Sequence, residues 1–213
     1  MAAFTNRVVE SNGIRIAVHD EGRGPAVVLC HGFPELAYSW RHQVPALAAA
    51  GFRVLAPDQR GYGGTDRPAA VASYDIHHLT GDLVGLLDAL GIARAVFVGH
   101  DWGGLVAWMM PLLHPARTAG VVGVNTPYLP RAPAPPVALF RQLFGDTHYM
   151  VHFQEPGVAD AALAQDVGRV FTQLVRRGVP REESAAALAA FGRMPTMVEM
   201  VARDGPKEHL HDV

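Results

Sequence analysis

Apolar residues follow two rhythms along this chain. The run Ala26 to Cys30 reads Ala-Val-Val-Leu-Cys without a polar break, the pattern of a strand buried on both faces of a sheet. Arg53 to Ala56, Ala95 to Val98 and Val121 to Val124 give three more strands. Between them the spacing becomes helical: from about Ser39 to Ala50, closed by Gly51; from Tyr74 to Leu90 through Ile76, Leu79, Leu83, Leu86 and Leu87, closed by Gly91; and from Leu105 to Leu113. Ahead of this alternation, Arg7 to Glu10 and Ile14 to His19 are short β-like runs joined by Ser11-Asn12-Gly13, a hairpin turn that makes an antiparallel start. Strand and helix alternating from Ala26 to Val124 predict right-handed βαβ units, hence an α/β fold with a mostly parallel sheet and helices on both faces. Function then belongs at the C-terminal ends of the strands.

Two loops emerge there. Gly99-His100-Asp101-Trp102-Gly103 places a carboxylate between glycines two residues to either side, the spacing of a nucleophile elbow, G-x-S-x-G, with aspartate in the serine's place. Glycine suits both flanks because a side chain would collide with backbone in so tight a turn. Asp101 is thereby exposed at the sheet edge, and the Trp102 N–H at the start of the next helix faces any charge forming there. The other loop is His31-Gly32-Phe33-Pro34-Glu35.

At Thr126 the pattern changes. Pro127, Pro130, Pro133, Pro135 and Pro136 prevent regular structure, and the segments beyond are helical: Val137 to Phe144, Asp160 to Arg177 and Arg181 to Phe191. The expected organisation is a core over residues 1–125 and a helical lid over residues 126–213, with no strand resuming before Val213.

Composition adds exclusions. Eighteen basic against 20 acidic residues, a formal charge of -2, provide no field to recruit nucleic acid or an anionic membrane. No segment has the apolar length of a membrane span, and no leader precedes Gly13, so a cytoplasmic protein is expected. The single cysteine, Cys30, excludes an intrachain disulfide and at the end of an apolar strand reads as a buried, inert thiol.

Four motifs in order resemble the epoxide hydrolases of the α/β-hydrolase superfamily: His31-Gly32-Phe33-Pro34-Glu35, Asp58-Gln59-Arg60-Gly61-Tyr62-Gly63, Gly99-His100-Asp101-Trp102-Gly103-Gly104, and Phe153-Gln154-Glu155-Pro156-Gly157. The resemblance implies an α/β-hydrolase fold with a lid, and no metal or organic cofactor. It makes Asp101 the nucleophile toward an epoxide carbon, through an alkyl-enzyme ester to a vicinal diol. A carboxylate is ionised at neutral pH and attacks without a base, unlike serine. The resemblance also implies an oxyanion hole from the Phe33 and Trp102 amides, a cis bond before Pro34, and Tyr149 as the lid acid on the epoxide oxygen. The lid's apolar face suggests an apolar substituent on that epoxide. Dehalogenases share the aspartate elbow and are the alternative.

In such enzymes His31 and His100 hold loops by hydrogen bonding, with Gly32 and Pro34 shaping the first loop. Glu35 is a candidate holder of a water, and Asp58 and Arg60 are scaffold. Trp102 and Trp108 read as core, and His77 and His78 as helix surface. His209 and His211 beside Asp212 lie on a tail ill suited to metal. Relatives usually carry an aromatic where His152 stands, and Pro111 is expected to break or kink its helix. The superfamily takes a histidine base and its acid from loops after later strands. Those strands, both residues and a second lid tyrosine are expected to be missing from this chain. That leaves a third alternative, a non-catalytic remnant, and an uncovered apolar sheet edge.

Overall fold

The computed structural model describes residues 7–168 and residue 170. The helix expected over Arg181 to Phe191, the end of that over Asp160 to Arg177, and His209, His211 and Asp212 lie outside those residues. The chain divides into two compact units, Met1–Leu129 and Pro130–Val213.

The first unit opens with β1 (Arg7–Ser11) and β2 (Ile14–Gly22), antiparallel with Ser11 opposite Ile14. Asn12 and Gly13 between them have φ of 49° and 75°, the left-handed pair that a two-residue hairpin turn requires. Then come β3 (Ala26–Cys30), α1 (Gln43–Ala49), β4 (Arg53–Pro57), α2 (Ile76–Ala89), β5 (Ala95–His100), α3 (Trp102–Leu113) and β6 (Thr118–Val124). In space the strands run β1-β2-β4-β3-β5-β6. The last four of that order are parallel, and the hairpin is added antiparallel along β4.

The alternation of side chains explains why β3 is apolar at every position. Val28 and Cys30 face one way and pack with Leu83, Leu86 and Leu87 of α2 and Val106, Ala107 and Met110 of α3. Val27 and Leu29 face the other way and pack with Val44 of α1 and with Ala37 and Trp40. Each face therefore has its own core, and a fully buried side chain of Leu or Phe size contributes about 1.5–3 kcal/mol. The two faces also determine where the site lies. From β3 the chain leaves over the α1 face, whereas from β5 it leaves over the α3 face, so the loops after β3 and β5 diverge and a crevice opens between them.

Strands β1, β2, β4 and β5 run one to three residues past their sequence-based ends, and other differences have local causes. The helix expected over Ser39 to Ala50 is a 3₁₀ turn, Ala37–Trp40, followed by α1. Pro45 has no N–H to bond the Arg41 carbonyl, so the α-helix can only begin with Pro45 in its first turn. The helix expected from Tyr74 begins at Ile76 because the Asp75 side chain caps it, accepting from the His78 N–H at 2.9 Å. Pro111 does not break α3, which runs on to Leu113, since near a helix end proline removes only one backbone bond. The edge strand β6 starts at Thr118 and leaves Val122 and Val124 exposed.

The second unit contains α4 (Pro136–Phe144), α5 (Tyr149–His152) and α6 (Val158–Leu163). Pro136 is the first residue of α4, where its missing N–H is not needed. A single helix from Asp160 onward is not present: α6 closes at Leu163 and helical backbone resumes at Val167, directly after Asp166, a residue type that favours the cap position. Thr126 belongs with the first unit for a specific reason. Its Oγ1 donates to the Asp101 carbonyl at 3.2 Å and its own carbonyl accepts from Trp108 Nε1 at 2.7 Å.

One buried ion pair ties the hairpin to the rest of the first unit. Arg60 Nε and Nη2 meet Asp82 Oδ2 and Oδ1 at 2.8 and 2.5 Å with both side chains at 5% exposure or less, and Asn12 Nδ2 adds a third bond to Asp82 at 2.9 Å. Removing one partner of a buried pair strands the other charge, so Asp82→Ala is expected to cost about 3–5 kcal/mol. Urea unfolding followed by circular dichroism tests this, and a loss under about 1 kcal/mol would show that the pair is solvated.

Candidate active site

Asp101 stands between β5 and α3 with φ 52° and ψ −123°, a conformation that costs a residue with a side chain about 1–3 kcal/mol. The strain persists because its neighbours leave no alternative. The Asp101 carbonyl accepts from the amides of Gly104 at 3.0 Å and Leu105 at 3.3 Å, and from Thr126 Oγ1. A Cβ on Gly99 would strike the Gly103 carbonyl, and one on Gly103 would strike the carbonyls of Cys30 and His31. In the parallel register Cys30 lies opposite Gly99, so the chain leaves β3 and β5 at the same level. Gly32 then passes against Asp101, where a Cβ would come within 2.5 Å of the aspartate's own.

This closeness produces the main polar contact of the site. The Phe33 N–H donates to Asp101 Oδ1 at 3.0 Å. The Phe33–Pro34 peptide is cis, and the turn is closed by the Glu35 N–H on the Gly32 carbonyl at 3.0 Å. Glu35 Oε2 lies 3.4 Å from His100 Nδ1, both side chains about a third exposed, so a carboxylate and an imidazole meet beside the nucleophile. Trp102, the first residue of α3, is 44% exposed. This corrects the core reading: standing at the helix start on the sheet edge, it has no layer above it within the first unit. Trp108 is packed as expected, its ring edge-on to Tyr128 at 5.9 Å. Tyr149 opens α5 of the second unit, T-shaped against Phe153 at 5.8 Å.

Beneath the first loop, His31 is fully buried. Its Nδ1 faces the Gly32 carbonyl at 2.9 Å, so Nδ1 carries the hydrogen, and Nε2 accepts the Gln59 N–H at 3.0 Å. Both partners demand the neutral ring. Burial, opposed in part by the bond to Gly32 and by Asp58 and Glu35, holds its pKa below the ordinary histidine value. Asp58 accepts from the Ala37 and Gly64 amides at 2.9 and 3.0 Å, fixing the end of the same loop. Burial pushes the Cys30 thiol up to about 12, so it is not a nucleophile. His77 is exposed and His78 bonds Asp75, both on the surface of α2. Among the described residues no group of three His, Cys, Asp or Glu is placed to hold a metal ion.

Two contributors escape sequence reasoning. Gln59 sits inside a recognised motif, yet nothing local marks its side-chain amide as a donor to the His31 carbonyl, at 2.5 Å. Thr126 lies just past an expected strand end, and only the positive φ of Asn125, 56°, turns it back toward the elbow.

Comparison with known proteins agrees with this architecture. The model of the α/β hydrolase fold family matches residues 25–203. Epoxide hydrolase A of Mycobacterium tuberculosis is 54% identical over 191 residues, which cover 88% of this chain and 59% of that one. Bifunctional epoxide hydrolase 2 of Sus scrofa is 46% identical over 167 residues, 77% of this chain and 30% of that one. The crystal structure of epoxide hydrolase A from Mycobacterium thermoresistibile superposes with a TM-score of 0.83 at 46% identity, over 92% of this chain and 62% of that one. An epoxide hydrolase from Vigna radiata gives a TM-score of 0.77 at 43% identity, over 84% and 58%. The chain thus spans 59% of the first of these relatives.

The locked His31 ring has a pH consequence. Its folded pKa is depressed, so the unfolded chain binds the proton more readily. The contribution to stability is present above the unfolded value of about 6.5 and is lost as pH falls from there toward the folded pKa. Unfolding free energies from urea titration of the wild type are expected to fall more steeply between about pH 7.5 and pH 5 than those of His31→Asn, by about 1.4 kcal/mol for each unit of depression. Parallel pH profiles would show that the ring takes up the proton without losing its partners.

Proposed function

Because this chain belongs to the α/β-hydrolase fold family, we propose that it carries the nucleophilic half of an epoxide hydrolase, with Asp101 attacking a ring carbon of a small-molecule epoxide. The observation that carries this reading is the strained aspartate with an amide already on its carboxylate, Phe33 N to Asp101 Oδ1 at 3.0 Å. A serine in such a turn needs a base before it can attack, whereas an aspartate does not. The elbow aspartate points to alkyl transfer, and the relatives named as epoxide hydrolases point to the electrophile.

In the first step an Asp101 oxygen forms a bond to carbon, the ring C–O bond breaks, and the Tyr149 phenol passes its proton to the leaving oxygen, giving a β-hydroxyalkyl ester. A second step, in which water adds to the ester carbonyl, the amides of Phe33 and Trp102 hold the charge on that oxygen, and the diol departs as the carboxylate re-forms, requires a base to take the water's proton; none of the residues assigned here is that base, so the ester is the expected product. The Glu35–His100 pair is suited to hold the incoming water, since it offers an acceptor and an imidazole 3.4 Å apart beside the elbow. His31 and Pro34 are assigned to holding the loop and Gly32 to letting it approach. The half-exposed Trp102 ring favours an apolar substituent on the epoxide. The single buried thiol fits a reducing, cytoplasmic setting.

Incubation with styrene oxide followed by intact-mass and peptide analysis tests the reading. One substrate mass per chain on the peptide holding Asp101, absent from Asp101→Ala, is expected. Tyr149→Phe should slow adduct formation by at least ~100-fold, the usual worth of a positioned acid. Halide release from a haloalkane with no adduct from any epoxide would favour a dehalogenase instead.

A further inference from the structure

The loop that presents Phe33 to Asp101 is closed by its own turn and fixed at its far end by Asp58, but carries no side chain where it passes the nucleophile. Its central residue is Gly32, which has no side chain to wedge against the nucleophile and is conformationally free. On the elbow side it meets Gly103, again without a side chain, which lies against the His31 carbonyl. A spacing set by two glycines needs a third partner to hold it. Gln59, at the end of β4, supplies one: its backbone N–H takes His31 Nε2 at 3.0 Å while its side-chain Nε2 takes the His31 carbonyl at 2.5 Å. The same carbonyl is therefore held between the Gln59 amide and Gly103. The backbone bond would survive with any residue but proline at position 59, so residue identity adds the side-chain bond alone.

From these contacts, and resting on the proposed epoxide chemistry, we propose that Gln59 is a positioning residue: through the His31 carbonyl its side chain sets the Phe33 amide on the Asp101 carboxylate. Removing that donor frees the His31 carbonyl, two residues before Phe33, while the ring stays on the Gln59 N–H, and lets the Phe33 amide leave the 3.0 Å position that orients the nucleophile. Displacements well under the length of a bond are enough to change rates of this kind, about 100-fold for ~1 Å.

The test is the rate of adduct formation on Asp101 under saturating styrene oxide, comparing wild type, Gln59→Met and Gln59→Glu. Met keeps the length of the side chain and lacks the donor. We expect the maximal rate of Gln59→Met to fall by about tenfold or more. The half-saturating concentration and the final adduct, one per chain, should not change. Gln59→Glu should be slower still near neutral pH, where a carboxylate faces the carbonyl. Relative to wild type it should recover as pH falls and the protonated acid can donate again. Wild-type rates in Gln59→Met, or a loss confined to the final amount of adduct, would overturn the proposal, because the side chain would then serve only stability. So would a Gln59→Glu profile parallel to wild type at all pH values. If the wild type itself takes no adduct, the epoxide reading fails and this inference with it.

Discussion

Two backbone turns packed without intervening side chains are the constraint on which the rest of the site depends. Gly32 lies on Asp101, Gly103 on the carbonyls of Cys30 and His31, Gly99 on the Gly103 carbonyl, and Gly104 on Thr126. A Cβ at Gly32 or Gly103 would push the β3 loop away from the elbow and take the Phe33 N–H out of reach of the carboxylate, and one at Gly99 or Gly104 would distort the elbow itself. Interiors packed to crystal-like density do not absorb such a shift. The strain at Asp101, about 1–3 kcal/mol, is small beside the burial of Phe97, Leu86, Leu87 and Met110 beneath it, each fully buried. The sheet holds the turn in a conformation the turn alone would abandon.

That packing is possible because of topology. The parallel register that sets Cys30 against Gly99 brings two chain exits to one level, and because the chain winds from β3 outward to β4 but from β5 outward to β6, the two exits lead to opposite faces. A crevice results that no side chain had to vacate. The loop after β4 enters from the far side of β3 and bonds to the β3 loop at three points: Asp58 on the Ala37 amide, and Gln59 twice on His31. One loop carries the nucleophile, one the amide, and the third restrains the second. This division of labour explains why a residue with no chemistry of its own can govern the geometry of one that has it.

What could be read before any coordinates were known follows from the range over which each signal acts. Strands β3 and β4 were legible because burial on both faces leaves unbroken apolar runs, whereas β6 keeps such a run although it is an exposed edge, and the elbow was legible because two glycines around one carboxylate are a local requirement. Helix bounds were less so: Pro45, Asp75 and Pro111 each moved an end or failed to, according to which backbone donors happened to be needed. Trp102 was misread for a different reason. Residue type favours burial, but its place at the first position of α3 exposes it, and that depends on the sheet edge. Gln59 and Thr126 act across 28 and 25 residues, and no periodicity carries information over such distances.

A carboxylate nucleophile and an amide hole make opposed demands on one another. In the resting site the Phe33 N–H stabilises the charge of Asp101, and a hydrogen bond to a charged group is worth about 1.5–3 kcal/mol. Attack disperses that charge, so part of the bond's strength is given up as the ester forms, a loss set against the gain from holding the carboxylate oriented toward the ring carbon. Once the ester has formed, its carbonyl oxygen is neutral and gains charge as water adds, so the bond strengthens toward that transition state and accelerates hydrolysis. Under the proposed chemistry the amide therefore serves the first step by orientation and the second by charge stabilisation. The loss would be offset, under the same proposal, by the Tyr149 phenol, since a positioned acid is worth ~10²–10⁴-fold, or about 3–5 kcal/mol, the size of one charged hydrogen bond.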